Sequence, residues 1–333
     1  MTESNFSLTS ENYTYDHTEI GQAIDFAHRV ILGFNISCLV LGIPVNIFIL
    51  TAILTSPSLR LKLRNQIIAI MCVCFLVEVV VESSYVTYII NRLDEIMMNC
   101  DLKIFSFNIH VLADFIITWY VVALLIIYNA KLNDFDPKRL VNEKTLKIGT
   151  GVVLSLPLVL AVITIPPTIH TLMKQNPISN YRCLLLTIED YQNLLVASTI
   201  TPLLSAIVLL VVAIVAYRRR FRLGIFGQPA GVELMDGGTV VDKPVAYIVA
   251  VSLCVVCYSL HVILNFKDLA RSFVESLRFF MANEFLENAF TYLLPLSWLC
   301  LDDVRERIKT WRPWCRTRQN VDITVSYNKE DNA

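Results

Sequence analysis

The sequence predicts an all-α fold: a seven-transmembrane-helix bundle with an amphipathic eighth helix at the inner surface. Three observations lead to this prediction. The 333 residues are 55% hydrophobic and only 17% charged, whereas soluble domains carry about 25% charged residues. The apolar residues fall into long runs, and the lysines and arginines collect in alternate connections between those runs.

Each predicted span is a continuous apolar run. A spanning helix needs roughly 20 mostly apolar residues, because the hydrocarbon core is about 30 Å thick and each residue rises about 1.5 Å. The seven runs cover about residues 28–54, 66–90, 101–130, 146–168, 191–217, 244–265 and 277–299. Continuous rather than alternating runs exclude a transmembrane barrel. The second, third and seventh runs carry acids, so these spans should face protein or water rather than lipid.

The distribution of basic residues predicts the orientation. Alternate connections hold 20 of the 28 lysines and arginines, and the side rich in these residues is cytoplasmic. The chain then divides into an extracellular tail (1–27), the bundle (28–300), and an amphipathic helix with a cytoplasmic tail (301–333). Sequons at Asn5 and Asn12 agree with an outside N-terminus and predict glycosylation. The polar, acidic start predicts no cleaved signal peptide, and the expected location is the plasma membrane.

Charge and motif content narrow the possible functions. A net charge of −1 gives no general attraction to nucleic acid. The sequence contains no GxxxxGK[ST] loop, no HExxH pair and no GxSxG turn, which are the marks of common phosphate, zinc and hydrolase sites. We therefore predict no enzymatic activity, no catalytic residue, no metal centre and no organic cofactor.

Several short motifs fall at matching places in the predicted spans. The first run contains Gly42-Ile-Pro-Val-Asn46, the second opens with Arg64-Asn65, the fifth contains Pro202, and the seventh contains Pro295. With seven spans and an outside N-terminus, the chain resembles the rhodopsin-like family of G-protein-coupled receptors over about residues 28–315. The resemblance implies that Asn46 hydrogen-bonds to neighbouring helices and that Pro202 kinks the fifth span.

Two further features follow from the resemblance. It implies a disulfide between Cys100 and Cys183 over the mouth of a ligand pocket, and an oxidising compartment would permit that bond; two free thiols are the alternative. It also implies that Asp302–Trp311 forms the amphipathic eighth helix along the inner membrane surface. Cys315 beyond that helix is either a palmitoylation site or an ordinary thiol.

The sequence departs from the family at its activation motifs. The arginine expected at the inner end of the third span would fall at Leu125 or Ala130, and Lys131 is the nearest cation. The sixth span reads Cys-Tyr-Ser-Leu around Tyr258 where the family has Cys-Trp-x-Pro. The seventh reads Leu-Pro-Leu-Ser-Trp where the family has Asn-Pro-x-x-Tyr, and the buried acid of the second span would fall near Phe75. These changes indicate a divergent receptor, an altered signalling mode or another seven-helix family.

Acids inside the predicted spans suggest an ion pocket. A carboxylate in hydrocarbon costs roughly 2.5 kcal/mol or more, so these groups should face the bundle interior. We expect Glu78 and Asp114, with Asn46 and His110 nearby, to rebuild the family's sodium pocket, so that a sodium ion is the one expected cofactor. Polar contacts that simply join helices are the alternative.

Family positions also predict a ligand cavity in the outer half of the bundle. The candidate wall residues are Glu82, Tyr85, Phe107, Asn108, Val111, Tyr258, His261, Asn265, Glu284 and Asn288. Amine receptors carry an aspartate where Phe107 stands, and opsins carry a retinal-linking lysine in the seventh span, where this chain has none. The resemblance therefore excludes an ordinary amine receptor and a photopigment.

The predicted function is a cell-surface receptor that transmits binding of an extracellular ligand to a heterotrimeric G protein across the lipid bilayer. Lys131, Arg218, Arg219 and Arg220 are the expected G-protein contacts, although the positive-inside rule and anionic lipid also account for such a basic run. One alternative is a seven-helix protein that binds a ligand without coupling. Another, suggested by the membrane acids, is a cation- or proton-coupled transporter.

Overall fold

The computed structural model describes residues 17–84, 100–133, 143–175, 196–222, 242–266 and 273–310. Within these ranges every regular element is a helix. In chain order they are α1 (His17–Ser37), α2 (Ile43–Leu54), α3 (Pro57–Arg60), α4 (Leu63–Glu78), α5 (Cys100–Leu132), α6 (Glu143–Gln175), α7 (Thr201–Arg222), α8 (Val245–Phe266), α9 (Phe273–Ser297) and α10 (Asp302–Thr310). The predicted all-α class is thus confirmed for the described part of the chain.

Six helical stretches are long and apolar enough to cross a membrane, which makes the chain a multi-pass membrane protein. They are Gly21–Leu54, Leu63–Val81, Asn108–Leu132, Lys147–Ile169, Val196–Arg222 and Val245–Ile263. These stretches correspond to the first six predicted runs. Agreement is close because a continuous apolar run of this length is seldom anything but a membrane span.

The seventh predicted run is a helix but is not among those six. α9 contains 25 residues, a length of about 37 Å at 1.5 Å per residue. Its apolar character is diluted by polar side chains, which include Asn283, Glu287 and Asn288, and it packs between α8 on one side and α1 and α2 on the other. Polar residues on a helix enclosed by protein need not face lipid.

The bundle is built around α5. In the most apolar 18-residue segment of α5, 67% is buried inside the protein, whereas in the corresponding segment of α6 only 11% is buried. Ile117, Tyr120, Leu124 and Tyr128 of α5 are almost completely enclosed, and the helix packs against α4, α6 and α7. Apolar residues on α6 such as Val162 face outward, as expected for a helix whose surroundings are lipid.

A π-helical turn, Val196–Ile200, leads into α7 just before Pro202. Proline has no N–H to donate, so it cannot bond the carbonyl four residues earlier, which belongs to Ser198. The hydroxyl of Thr118 on α5 lies 2.9 Å from that carbonyl and 2.7 Å from the Asp114 carbonyl of its own helix, so its one proton is shared between the two acceptors. A side chain of a neighbouring helix thus reaches the carbonyl that Pro202 leaves without a backbone donor, as is common where proline interrupts a membrane helix.

The same arrangement recurs at α9. Pro295 cannot donate to the carbonyl of Thr291, four residues earlier. The side-chain amide of Asn46 on α2 donates to this carbonyl at 2.9 Å and to the Gly42 carbonyl at the same distance. Asn46 thus bonds to a neighbouring helix, as the sequence predicted. A Cβ at Gly42 would lie 3.4 Å from the Thr291 hydroxyl, so a small residue lets the helices approach here.

The short helix α10 follows α9 after a single 3-10 turn, Trp298–Cys300. It is amphipathic: Val304 is fully buried and Ile308 packs against the core. Acids stand in its first turn and basic residues in its last turn, the arrangement that the helix dipole favours. A helix is therefore present where the eighth helix was predicted; Trp311 lies outside the described residues.

Candidate functional site

A histidine on α5 lies between two carboxylates. His110 Nδ1 is 3.0 Å from Glu78 Oε1 at the end of α4, and His110 Nε2 is 3.5 Å from Asp114 Oδ2, one turn later on α5. The three side chains are between 7% and 15% exposed. Each carboxylate in the bundle interior thus has an imidazole nitrogen beside it, which lowers the cost of burial.

Two residues of α8 extend this contact toward α9. Tyr258 donates its hydroxyl to Asp114 Oδ1 at 2.6 Å. His261, one turn along α8, has Nδ1 2.6 Å from Glu287 Oε1, and Asn283 donates to the same oxygen at 2.8 Å. We call the seven residues of these contacts the histidine network; its members are Glu78, His110, Asp114, Tyr258, His261, Asn283 and Glu287.

A small cavity, open on one side, adjoins the network. Its walls come from α1, α4, α5 and α9 and from two π-helical turns, Cys38–Gly42 and Val79–Ser83. The lining residues are Asn35, Cys38, Glu78, Val79, Ser83, His110, Glu284, Glu287, Asn288 and Thr291. They include three glutamates and one histidine but no lysine or arginine. The cavity therefore presents acceptors and negative charge to whatever enters it.

The structure brings part of the predicted ligand set to this region. Glu284 and Asn288 line the cavity, and Tyr258 and His261 belong to the histidine network. Val111 is buried in the core. Asn108 is partly buried on α5. Tyr85 and the side chains of Glu82, Phe107 and Asn265 lie outside the described residues.

The predicted ion pocket is assembled in part. Glu78, His110 and Asp114 each offer one ligand atom, and these atoms lie within 4.8 Å of one another. Asn46 is not among the residues that line the cavity; it bonds to backbone carbonyls of α9 and of the π-helical turn Cys38–Gly42 instead. Among the residues that the structure describes, the three that meet at His110 are thus close enough to share a cation.

Sequence reasoning did not select several residues of the site. Asn283, Asn35, Ser83 and Thr291 have no predicted role, and neither does Glu287, one of the acids of the seventh run. The i,i+4 spacing of Asn283 and Glu287 was an available signal, since residues four apart share a helix face. The other three are small polar residues of a kind found throughout membrane helices.

A second charged cluster joins the ends of three helices at the other end of α4. Arg64 is 2% exposed; one guanidinium nitrogen pairs with Asp242, just before α8, and another lies 2.5 Å from Asp303 Oδ2 on α10. Lys62 contacts the same Asp303 oxygen at 2.8 Å. We call Lys62, Arg64, Asp242 and Asp303 the arginine cluster.

Aromatic contacts support the arginine cluster from α5. Tyr128 donates its hydroxyl to the Asp242 carbonyl at 2.9 Å. Its ring stacks on that of Tyr247 in α8, with centroids 4.2 Å apart and an interplanar angle of 18°. The segment that leads into α8 is thus held by both a charge pair and a hydrogen bond.

The electrostatics of this cluster are visible at Asp303. Burial acts to raise the pKa of this carboxyl, but the charges of Arg64 and Lys62, with hydrogen bonds from Lys62 and the Val304 amide, outweigh it. The pKa of Asp303 is therefore held below its ordinary value of 3.8. The carboxylate is ionised at neutral pH and binds both cations.

The predicted G-protein contacts differ in exposure. Arg218 and Arg219 at the end of α7 are exposed, whereas Arg220 is 8% exposed and Lys131 is 5% exposed. In this conformation only the first two present their charge freely to a partner. The glycosylation sites Asn5 and Asn12, Cys183 and the side chain of Cys100 lie outside the described residues, so glycosylation and the disulfide remain predictions.

A scan against protein-family models and a search of curated proteins both found no match to this chain.

Proposed function

We propose that the chain is a cell-surface receptor of the rhodopsin-like type, in which a ligand in the cavity controls a G-protein site at the opposite end. One observation carries this proposal: the histidine network and the arginine cluster are built on the same helices. α4 carries both Glu78 and Arg64, and α5 carries both His110 and Tyr128. A change at one cluster therefore has a direct structural route to the other.

α8 contributes to both ends as well. Tyr258 and His261 belong to the histidine network, while Tyr247 stacks on Tyr128 and Asp242 lies just before the first turn. Fourteen residues separate Glu78 from Arg64 along α4, which corresponds to about 21 Å of helix. Coupling over such distances requires an element with two arrangements whose balance both sites influence.

The proposed mechanism is a shift between two arrangements of α8. In one, the arginine cluster and Tyr128 hold the start of α8 against α4 and α5. In the other, those contacts are broken and a cleft opens for the G protein. A ligand that contacts the histidine network and the cavity wall shifts this balance by as much as its affinity differs between the two arrangements.

The membrane topology belongs to the same proposal. α9 supplies the seventh crossing, since its length is sufficient and its polar residues face the bundle and the cavity. The N-terminus then lies outside the cell, because the basic connections require a cytoplasmic location for the arginine cluster. α10 lies along the inner surface of the plasma membrane as an eighth helix.

The test is recruitment of engineered G-protein alpha subunits to the receptor in living cells, with surface expression measured in parallel. Asp242→Asn weakens the contact to Arg64, so it should raise basal recruitment. Neutralising Arg218 and Arg219, which are exposed, should lower it. Asp302→Asn is the matched control, because Asp302 is exposed and pairs only with Arg305 among the described residues.

The rival without coupling is favoured by one observation, namely that Lys131, the nearest replacement for the missing arginine, is buried. Recruitment that stays at background for both wild type and Asp242→Asn, at good surface expression, would support this rival. A transporter would instead show cation- or proton-coupled flux in vesicles, and flux that depends on Asp114 would support the transporter.

A further inference from the structure

The contact of His110 with two carboxylates has the composition of a metal site. Glu78 and Asp114 supply carboxylate oxygens, and His110 supplies an imidazole nitrogen, with one such atom from each within 4.8 Å of the others. His110 and Asp114 are four residues apart on α5, a spacing that places two ligands on one face of a helix. The third ligand comes from a different helix, so that a bound ion would join α4 to α5.

From these contacts we propose that Glu78, His110 and Asp114 bind a zinc-type divalent ion within the helix bundle. Zinc bonds to nitrogen and oxygen at about 2.0–2.2 Å, with three protein ligands and one open position in sites that exchange a fourth ligand. Tetrahedral ligands at that distance lie about 3.4 Å apart. The two close contacts of His110 use different ring nitrogens, Nδ1 toward Glu78 and Nε2 toward Asp114. One ligand atom from each of the three residues nevertheless lies within 4.8 Å of the others, so side-chain rotation can bring one ring nitrogen and both carboxylates around a single ion.

The donor set selects among cations. Hard ions such as calcium and magnesium take six or more oxygen ligands, whereas imidazole suits zinc and related transition metals. The two carboxylates and one neutral imidazole carry two negative charges together, so a divalent ion would neutralise the trio. The sodium ion predicted from the sequence is therefore a poorer match to these donors than zinc.

Residues around the trio would orient the metal ligands, and the neighbouring cavity would give the ion access. Metal-binding carboxylates are typically held by a further hydrogen bond, and loss of that bond weakens metal affinity by about 10–100-fold. Tyr258 provides such a bond to the other oxygen of Asp114 at 2.6 Å. Glu78 and His110 also line the small cavity beside the network, which is open on one side, so an ion and its exchangeable water can reach the trio through that space.

The inference goes beyond the proposed receptor function and does not depend on it. Zinc binding is measured on the purified chain, so absent G-protein recruitment would leave it unaffected, and absent zinc binding would leave the receptor proposal unaffected. In a receptor, an ion that joins α4 to α5 would favour one arrangement of the bundle.

The experiment uses the full-length protein without a polyhistidine tag, in lipid nanodiscs. Zinc is titrated against a fluorescent chelator, and the midpoint of thermal unfolding is followed over the same concentrations. The expected result is one zinc ion per chain and a midpoint that rises to a plateau, because a ligand specific for the folded state stabilises it. Sodium and magnesium at matched ionic strength should give no such rise.

Single substitutions locate the ion. His110→Ala should weaken zinc binding by about 100-fold or more, and Glu78→Gln and Asp114→Asn should do the same, because each removes a direct ligand. Tyr258→Phe should weaken it by about 10-fold. His28→Ala is the matched control, since His28 lies on α1 and is not among the described metal-site residues; it should leave zinc binding unchanged.

One variant tests the site even if the alanine variant folds poorly. His110→Cys replaces the imidazole by a soft thiolate, so it should retain a bound metal and shift the preference from zinc toward cadmium. Wild-type protein that is folded and monodisperse yet binds no zinc saturably would overturn the proposal. So would undiminished zinc binding by His110→Ala, or an unchanged metal preference in His110→Cys.

Discussion

The histidine network and the arginine cluster both place carboxylates among several helices, but they balance the charge differently. In the arginine cluster a guanidinium and an ammonium face two aspartates, so the charges match. In the histidine network the carboxylates face imidazole, amide and phenol groups beside an open cavity. In the arginine cluster the opposite charges satisfy one another. In the histidine network the partners are neutral or titratable, so carboxylate oxygens remain available to a ligand.

Arg64 should have the largest effect on stability because it joins three segments. Removing one partner of a buried ion pair costs about 3–5 kcal/mol, since the remaining charges stay buried. We expect the lower part of this range for Arg64→Ala, because Asp303 keeps its contact with Lys62. Arg64→Lys should recover only part of the loss, since an ammonium cannot reproduce the planar fork.

Thermal unfolding of the purified protein measures this effect, and Arg60→Ala serves as the control because Arg60 is exposed on the neighbouring α3. If Arg64→Ala lowers the unfolding midpoint no more than Arg60→Ala does, the arginine cluster does not hold the helices together. The contrast with the histidine network would then disappear.

The contacts at the two prolines should give the next largest effects. Thr118→Val keeps the side-chain shape but removes the donor to the Ser198 carbonyl, and Asn46→Leu removes the donor to the Thr291 carbonyl. Hydrogen bonds between membrane helices are worth about 0.6 kcal/mol on average and up to about 1.7. We expect about 1 kcal/mol for Thr118→Val and more for Asn46→Leu, because Asn46 is fully buried and bonds two carbonyls.

A double-mutant cycle tests whether Pro202 is the reason that the Thr118 hydroxyl stabilises the fold. In the Pro202→Ala background the backbone regains an N–H for the Ser198 carbonyl, so Thr118→Val should cost less than it does in wild type. Thr164→Val is the matched control, since this exposed threonine donates to a carbonyl of its own helix. An equal cost of Thr118→Val in both backgrounds would show that Pro202 does not create the acceptor.

The sequence predicted the spans better than the contacts between them. The run at 146–168 coincides with the observed stretch Lys147–Ile169, because hydropathy is a local property that any window of sequence displays. α9 was correctly predicted as a helix, yet its polar residues make it a weak membrane signal on its own. The physical reason is that other helices enclose α9, and a local sequence pattern carries no information about such packing.

The sequence predicted the trio at His110 but not the arginine cluster. The meeting of Glu78, His110 and Asp114 was expected, because acids in membrane helices should face the bundle interior and the family resemblance implied that these positions share an ion pocket. The arginine cluster was missed, since Arg64 meets residues 178 and 239 positions away and Asp242 and Asp303 lie where charged residues are common. Nothing in their local sequence distinguishes them from solvated charges.

Tyr128 permits a smaller test of how the arginine cluster is supported. Tyr128→Phe keeps the stack on Tyr247 and removes the hydroxyl that bonds the Asp242 carbonyl. The expected cost is about 0.5–1.5 kcal/mol, the net value of one hydrogen bond. Tyr128→Leu should cost more, because it also loses the aromatic contact. Equal unfolding midpoints for Tyr128→Phe and wild type would indicate that the hydroxyl adds nothing to the aromatic stack and the Arg64–Asp242 pair.

The smallest expected effect is the pH dependence of stability that Asp303 contributes, and this dependence appears only at acidic pH. The pKa of Asp303 in the folded protein lies below its ordinary value of 3.8, so the ionised carboxylate contributes stability that is fully present above that pH. The contribution is lost as the pH falls through the folded-state pKa, since the folded state then gains the proton. Asp303→Asn should therefore be less stable than wild type at neutral pH, and the two unfolding curves should converge below about pH 3.8.

Asp302→Asn, an exposed neighbour on α10, provides the control. A constant difference between Asp303→Asn and wild type across this range would mean that Asp303 acts through its shape and not through its charge, and that the arginine cluster is less strictly ionic than its contacts indicate.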